Sequence, residues 1–194
     1  MATWFDGIKS FADVPITANG ISTQEFLEAA ESLTTLFDVM QSKAFGVVKS
    51  DLTGNIKKVR DRFVAAPAES QTLQELVINE LKTGKHTATE GLLWLVRGLE
   101  FTAKGLRHNI DNPSTELADS FRNAYGDTLK PHHSFVVKPL FSAAMSACPY
   151  RKDFYARLGE DQGKVQDGLN REVPALEERV RILKEFLSSP QAKW

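Results

Sequence analysis

Apolar residues recur along this chain three or four positions apart in one block after another, and no block alternates as a half-buried strand would. That spacing predicts helices throughout. The clearest block is FGVVKSDLTGNIKKVRDRF, residues 45–63. At about 100° per residue, Phe45, Val48, Leu52, Ile56, Val59 and Phe63 fall on one stripe, the face a helix turns to a core. A second stripe runs beside it, with Asp51, Asn55, Lys58 and Arg62 inside an arc of roughly 60°. It borders the apolar stripe and does not oppose it, so its polar tips belong at the rim of something buried. An acceptor, an amide that both donates and accepts, and a cation together suit a ligand rich in hydroxyl groups. The same residues also fit a solvated ladder of side-chain pairs, each worth about 0.2–0.5 kcal/mol. The helix alone does not separate the two readings.

Residues 1–21 place Trp4, Phe5, Ile8 and Phe11 among Pro15 and Gly20, and read as an arm packed on the body of a single domain spanning residues 1–194. Ser22 and Glu25 have the spacing of a capping box, ahead of Phe26, Leu27, Ala30, Leu33, Phe37 and Met40. Ala65, Ala66 and Pro67 end the 45–63 helix. Ser70 is placed to cap the next one, which carries Leu73, Leu76, Val77 and Leu81 and breaks at Gly84-Lys85-His86. Thr87 and Glu90 form a second box at the head of the long GLLWLVRGLEFTAKGLRHNI, residues 91–110. There Leu92, Leu95, Val96, Leu99, Ala103, Leu106 and Ile110 face a core, beside a stripe of Trp94, Gly98, Phe101 and Gly105. An interior glycine costs about 1 kcal/mol against alanine, so the two glycines imply close approach by another backbone or a ligand. The pattern resumes from Leu117 to Leu129. From His132 to Met145 it reads as one helix kinked at Pro139. Tyr150 to Leu158 is a short piece, GEDQGKVQDG a polar connection, and Leu176 to Leu187 the last helix. The expected fold class is all-α.

Composition narrows the function. Lys and Arg number 24 against 25 Asp and Glu, so no global field favours nucleic acid or a strongly anionic surface. Cys148 is the only cysteine, which excludes an internal disulfide and a cysteine-built zinc site and fits a reducing compartment. No apolar run approaches the roughly 20 residues that span a bilayer, and MATWFDGIKSFADVP lacks the apolar centre of a secretory signal; a cytosolic protein is expected. The nucleophile elbow, the phosphate loop, the dinucleotide fingerprint and H-E-x-x-H are all absent. No enzyme activity, cofactor or metal is therefore expected. His132 and His133, adjacent on a helix, would point about 100° apart, which suits a core hydrogen bond better than a shared metal. Cys148 has no base beside it and reads as packing. Trp94 fits a core position, yet its indole face and N–H would also suit the C–H face of a sugar ring. The 12 Phe fit a well-filled core, or helices that part slightly to admit an apolar chain.

Three blocks then add to this reading: DLTGNIKK, LLWLVRGLEF and AYGDTLKPHHSFVV followed by LFSAAMSACPY. In this order and at these separations, from about residue 22 to 160, they resemble the signature of the glycolipid transfer protein family. The pattern is most like the family's fungal heterokaryon-incompatibility branch. The resemblance implies a two-layer, all-helical sandwich holding one sphingolipid, with the sugar at a surface site and the ceramide chains in a hydrophobic tunnel. Asp51 matches the acid that bonds the ceramide amide N–H and a sugar hydroxyl. Asn55 and Lys58 match the pair that bonds further hydroxyls, Trp94 the platform under the first sugar, and His133 the partner of the amide carbonyl. An acceptor and a donor that read the amide from both ends would select sphingolipids over lipids lacking that group. Phe37, Phe101, Leu106, Phe141 and Met145 are the tunnel residues it implies.

Relatives that carry ceramide 1-phosphate have a cationic cluster in place of the Asn–Trp centre. Asn55 and Trp94 therefore imply a neutral glycosphingolipid, a glucosyl-, galactosyl- or lactosylceramide, with Arg97 and Arg62 leaving sulfated heads open. Tyr125, Lys130 and Phe135 match membrane-docking positions. Phe135 stands where some relatives have Trp, which implies weaker anchoring in the headgroup layer. Leu36-Phe37-Asp38 sits where relatives carry a motif for an endoplasmic-reticulum adaptor. The expectation is a monomeric, non-enzymatic carrier of glycosphingolipids between membranes, cytoplasmic and transiently peripheral, with no nucleic-acid partner. The alternative is a glycolipid sensor or adaptor in fungal heterokaryon-incompatibility signalling.

Overall fold

The helical spacing becomes nine α-helices in the computed structural model, which describes residues 1–194. They are α1 (Thr23–Thr34), α2 (Leu36–Val39), α3 (Gly46–Ala65), α4 (Leu73–Lys82), α5 (Thr87–Asp111), α6 (Leu117–Asp127), α7 (Val137–Ser146), α8 (Arg151–Leu158) and α9 (Gln162–Ser188). The chain is an all-α, two-layer helical sandwich. Its one departure is a hairpin in the arm, β1 (Ile16–Thr17) paired antiparallel with β2 (Gly20–Ile21). Strands of two residues are too short to leave an alternating signal. No helix is long and apolar enough to cross a membrane.

Helix α5 is central, packed by α3, α6 and α9. Glycines let its neighbours come close. A Cβ on Gly91 would stand 2.8 Å from Lys58 Cβ, and one on Gly98 would stand 2.6 Å from Leu52 Cδ2. On Gly105 it would meet the Phe121 ring at 2.6 Å. Gly98 and Gly105 are thus close-approach positions, as their cost in a helix suggested. The pairs Gly91–Lys58 and Gly98–Leu52 also fix direction: α3 and α5 run antiparallel, with Asn55 at the level of Trp94.

Several helix ends differ from the sequence reading. The Ser22 hydroxyl donates straight to the Glu25 carboxylate, and no side chain caps α1. Thr72, not Ser70, caps α4; its hydroxyl accepts from the Glu75 N–H at 3.2 Å while the Thr72 N–H donates to Glu75 Oε2 at 2.9 Å. The Thr87–Glu90 box does not form. Instead Glu80, 4% exposed, reaches over from α4. Its carboxylate accepts from the N–H groups of Ala88 at 2.9 Å and Thr89 at 2.7 Å, and from the Thr89 hydroxyl at 2.7 Å. A full negative charge on two free N–H groups at a helix start outcompetes a local hydroxyl.

The stretch from His132 to Met145 is not one helix. Lys130–His132 forms a 3-10 turn, His133 is extended, and α7 starts only at Val137. Pro139 therefore falls in a first turn, where its missing N–H has no bond to lose, and it kinks nothing. The supposed polar connection of residues 159–168 belongs mostly to α9. Asp161 starts that helix by accepting from the Lys164 N–H at 3.1 Å. Gly168 is small because the arm packs there: a Cβ would lie 2.3 Å from Phe5 Cδ2. Glu172 holds the same arm, accepting from the Ser10 hydroxyl and, at 3.0 Å, from the Phe11 N–H.

The Glu80 cap makes a direct prediction. Glu80→Ala should remove three hydrogen bonds at once and lower stability by about 2–3 kcal/mol, whereas Thr87→Ala should stay within about 0.5 kcal/mol. Urea unfolding followed by circular dichroism measures both.

Candidate functional site

The polar stripe of α3 and the Trp94 turn of α5 meet along the glycine contact just described. Asn55 is buried, Asp51 half-buried and Lys58 exposed, so the stripe passes from core to water within two turns. One hydrogen of the Asn55 amide is spent on the Asp51 carbonyl at 3.0 Å, which orients Oδ1 and the second hydrogen. The ion pairs of α3 lie elsewhere, at Lys49–Asp38, Lys57–Asp61, Arg60–Glu31 and Arg62–Glu69. The surface-ladder reading therefore fails for Asp51 and Asn55, and Arg62 pairs not within the stripe but with Glu69 beyond the end of α3, at 2.9 Å. Burial pushes the Asp51 carboxyl above the usual carboxylate range, and the Lys58 ammonium only partly opposes this.

His133 arrives from the other side. Its ring stacks nearly parallel on the Trp94 indole, centroids 5.8 Å apart and planes 18° apart, while exposed His132 meets the indole edge-on at 6.3 Å. Its backbone N–H donates to the Leu129 carbonyl at 3.1 Å, which holds the residue against the end of the turn. Burial, followed by the charges of His132 and Lys138, lowers the His133 pKa below the ordinary imidazole value. The ring is therefore neutral at neutral pH. The Arg97 guanidinium lies over the Trp94 ring, 4.8 Å from its centroid, a cation–π contact. Trp94 is neither core nor free: it is half-buried between these groups.

Tyr125 requires correction. It was expected at the membrane-docking surface, but it is 2% exposed and its hydroxyl sits 3.1 Å from His133 Nδ1. The docking expectation came from the family resemblance, whereas the helical spacing from Leu117 to Leu129 agrees with the buried place of Tyr125 on α6. Phe135 is 85% exposed, and Val136, Leu140 and Tyr150 also expose their apolar side chains, with Lys130 exposed nearby in sequence. Leu36 and Phe37 are buried and Asp38 is paired with Lys49, so the adaptor motif offers a partner almost nothing.

The five residues expected along a tunnel are all buried in the core. Phe141 stacks on Tyr125 at 5.5 Å, and Phe101 meets Tyr125 edge-on at 6.4 Å. Phe37 stacks on Phe45 at 5.8 Å, in the turn that packs against α7. Burial drives the Cys148 thiol up to about 12, so it stays protonated and unreactive.

Asp51 supplies a test of what the site costs. Its folded pKa is raised above the unfolded value, so its charge is a penalty on folding. That penalty is absent below the unfolded carboxylate pKa and fully present above the folded one. Asp51→Asn should therefore raise the melting temperature of the lipid-free protein at pH 7. The gain should disappear as the pH falls to about 3, which thermal melts across that range will read.

Residues 21–160 match the family described as Glycolipid transfer protein. A glycolipid transfer protein of Aureobasidium melanogenum is 62% identical over 193 residues, 99% of this chain and 96% of that one. The solved structure of HET-C2, a fungal glycolipid transfer protein, superposes with a TM-score of 0.96 at 64% identity, covering 99% of this chain and 100% of the other. FAPP2, solved to show how it selects simple glycosphingolipids using the same fold, matches with a TM-score of 0.88 at 32% identity over 100% of this chain and 98% of its own. By family match, by identity along nearly its whole length and by fold, this chain belongs to the glycolipid transfer protein family.

Proposed function

We propose that the protein is a non-enzymatic carrier that lifts one neutral glycosphingolipid from a membrane, shields its chains and releases it to another. The observation that carries this reading is the Trp94–His133 stack set level with the Asp51–Asn55–Lys58 stripe. A flat indole, a carboxylate held back from water, an oriented amide, an exposed ammonium and a neutral imidazole together match a sugar on a ceramide. The sugar's C–H face takes the indole, and its hydroxyls take Asn55, Lys58 and one oxygen of Asp51. The amide N–H donates to Asp51 and the amide carbonyl accepts from His133. A lipid without that amide leaves half-buried Asp51 and buried His133 unpaired, at about 1–3 kcal/mol each. That is enough to exclude it without excluding related sugars.

The two chains would enter between the helices, where Phe101, Phe141, Met145 and Leu106 now fill the space with side chains, and Phe37 would line the far end. Docking would use Phe135 together with Val136, Leu140 and Tyr150, flanked by Lys130. Inserting four such groups is worth on the order of 5 kcal/mol, comparable with a single lipid anchor and therefore reversible. A carrier working from the cytoplasm needs that balance, since it has to leave each membrane it visits.

The deciding experiment is vesicle-to-vesicle transfer of glucosylceramide or galactosylceramide. Trp94→Ala and Asp51→Val, each shown by circular dichroism to be folded, should lose transfer by about tenfold or more. Undiminished transfer by both would sink the site assignment. Phe135→Ala should slow transfer and weaken vesicle binding, yet leave untouched the binding of a short-chain glycosylceramide added from solution.

A further inference from the structure

The contact between Tyr125 and His133 has no part in the headgroup bonds described above, and its geometry restricts the imidazole. Tyr125 is held on α6 by its ring, stacked on Phe141 with planes 14° apart and set edge-on to Phe101. Its hydroxyl, inside the core, has His133 Nδ1 at 3.1 Å as its hydrogen-bond partner. A phenol has one hydrogen to give. If Nδ1 carried the imidazole proton, it would donate to the phenol oxygen and leave the phenol hydrogen unbonded in an apolar surrounding. With the O–H donating to Nδ1, both groups are satisfied. A neutral imidazole then carries its single hydrogen on Nε2. Burial keeps both partners in the neutral forms that this requires, raising the Tyr125 pKa and lowering that of His133.

We infer that Tyr125 is a positioning residue that locks His133 into the Nε2–H tautomer, so that the ring presents a donor and never an acceptor to the carried lipid. The inference rests on the carrier reading and deepens it. The acyl carbonyl of a ceramide is an acceptor and meets the Nε2–H directly. In the other tautomer the ring would set a lone pair against that carbonyl oxygen, two acceptors face to face. Tyr125 thereby makes the choice of an amide-linked chain a property of the buried core, not of the exposed headgroup face. It also ties the choice to the chain-lining residues, because the ring that supplies the hydroxyl is the one stacked on Phe141.

Tyr125→Phe removes the hydroxyl and keeps the stack. In protein labelled with nitrogen-15 at histidine and free of lipid, long-range proton–nitrogen NMR should show His133 of the natural chain protonated at Nε2 and bare at Nδ1. In Tyr125→Phe the same ring should become a mixture of tautomers. Glucosylceramide transfer between vesicles should fall about tenfold in Tyr125→Phe and fall no further when that change is added to His133→Ala. A natural ring protonated at Nδ1, a tautomer unmoved by Tyr125→Phe, or losses that add across the two substitutions would each overturn the inference. Full transfer by His133→Ala, with the tautomers behaving as expected, would overturn instead the assignment of His133 to the amide carbonyl, so the two failures are told apart.

Discussion

Everything at the candidate site depends on how closely α3 and α5 approach each other. The approach is set by missing side-chain atoms: a methyl on Gly91 would collide with Lys58 Cβ, and one on Gly98 with Leu52 Cδ2. Each glycine costs helix stability on its own, so the pair makes sense only if proximity returns more than it removes. What it returns is register. With the two helices antiparallel and in near contact, Asn55 stands level with Trp94, and Asp51 and Lys58 lie one turn to either side. Recognition of a sugar by several hydrogen bonds tolerates displacements of only about 0.5 Å. At both glycines the α5 backbone itself meets an α3 side chain, and α5 is pinned at its start by the buried Glu80 carboxylate.

The second ordering principle is a gradient of polarity running inward from the surface. Lys58 is in water, Asp51 halfway, and His133 and Asn55 buried; behind them Tyr125 joins Phe141 and Phe101. Along that line the groups change from charged, to charged under protest, to neutral hydrogen-bonding, to apolar. Burial disfavours the Asp51 charge and the protonated form of His133. Neither effect helps the empty protein to fold. Both fit the proposed function, in which a partner brings its own donor and acceptor and stability is traded for recognition.

Much of this was legible in the chain because it is local. The α3 stripes, the glycine-interrupted face of α5 and the all-α class follow from spacing that a helix reads directly, whereas the choice of His133 over His132 rests on the family resemblance. What could not be read was long-range. Glu80 caps α5 across a loop, and Thr72 is chosen over Ser70 by the way the hairpin arm lies on it, its hydroxyl reaching the Asn19 carbonyl at 3.1 Å. The largest error came from one local ambiguity. Residues 132–145 have enough apolar groups for a continuous helix, but Pro139 fits a first turn as well as a kink. The one-helix reading misplaced the backbone at His133, which is extended, whereas the docking role expected for Tyr125 came from the family resemblance and not from this stretch. Gly163 and Gly168 misled in the opposite sense, since Gly168 marks the seat of Phe5 and not a loop.

That error bears on how a carrier could work. Were residues 132–145 one rigid helix, the exposed Phe135 and the buried His133 would share a rod, and membrane contact would be transmitted to the site as a rotation of the whole element. The observed chain instead passes from the turn at Lys130–His132 through extended His133 to α7. His133 is tied to Tyr125 and Leu129 on one side, while Phe135 and Val136 hang from the start of a separate helix. Backbone that is neither helix nor strand absorbs displacement in a few dihedral angles. In the proposed carrier, docked residues could therefore shift against a bilayer while the proposed headgroup site keeps its geometry. In a protein proposed to bind membranes only in passing, that separation allows docking to be weak and recognition to be exact about the amide.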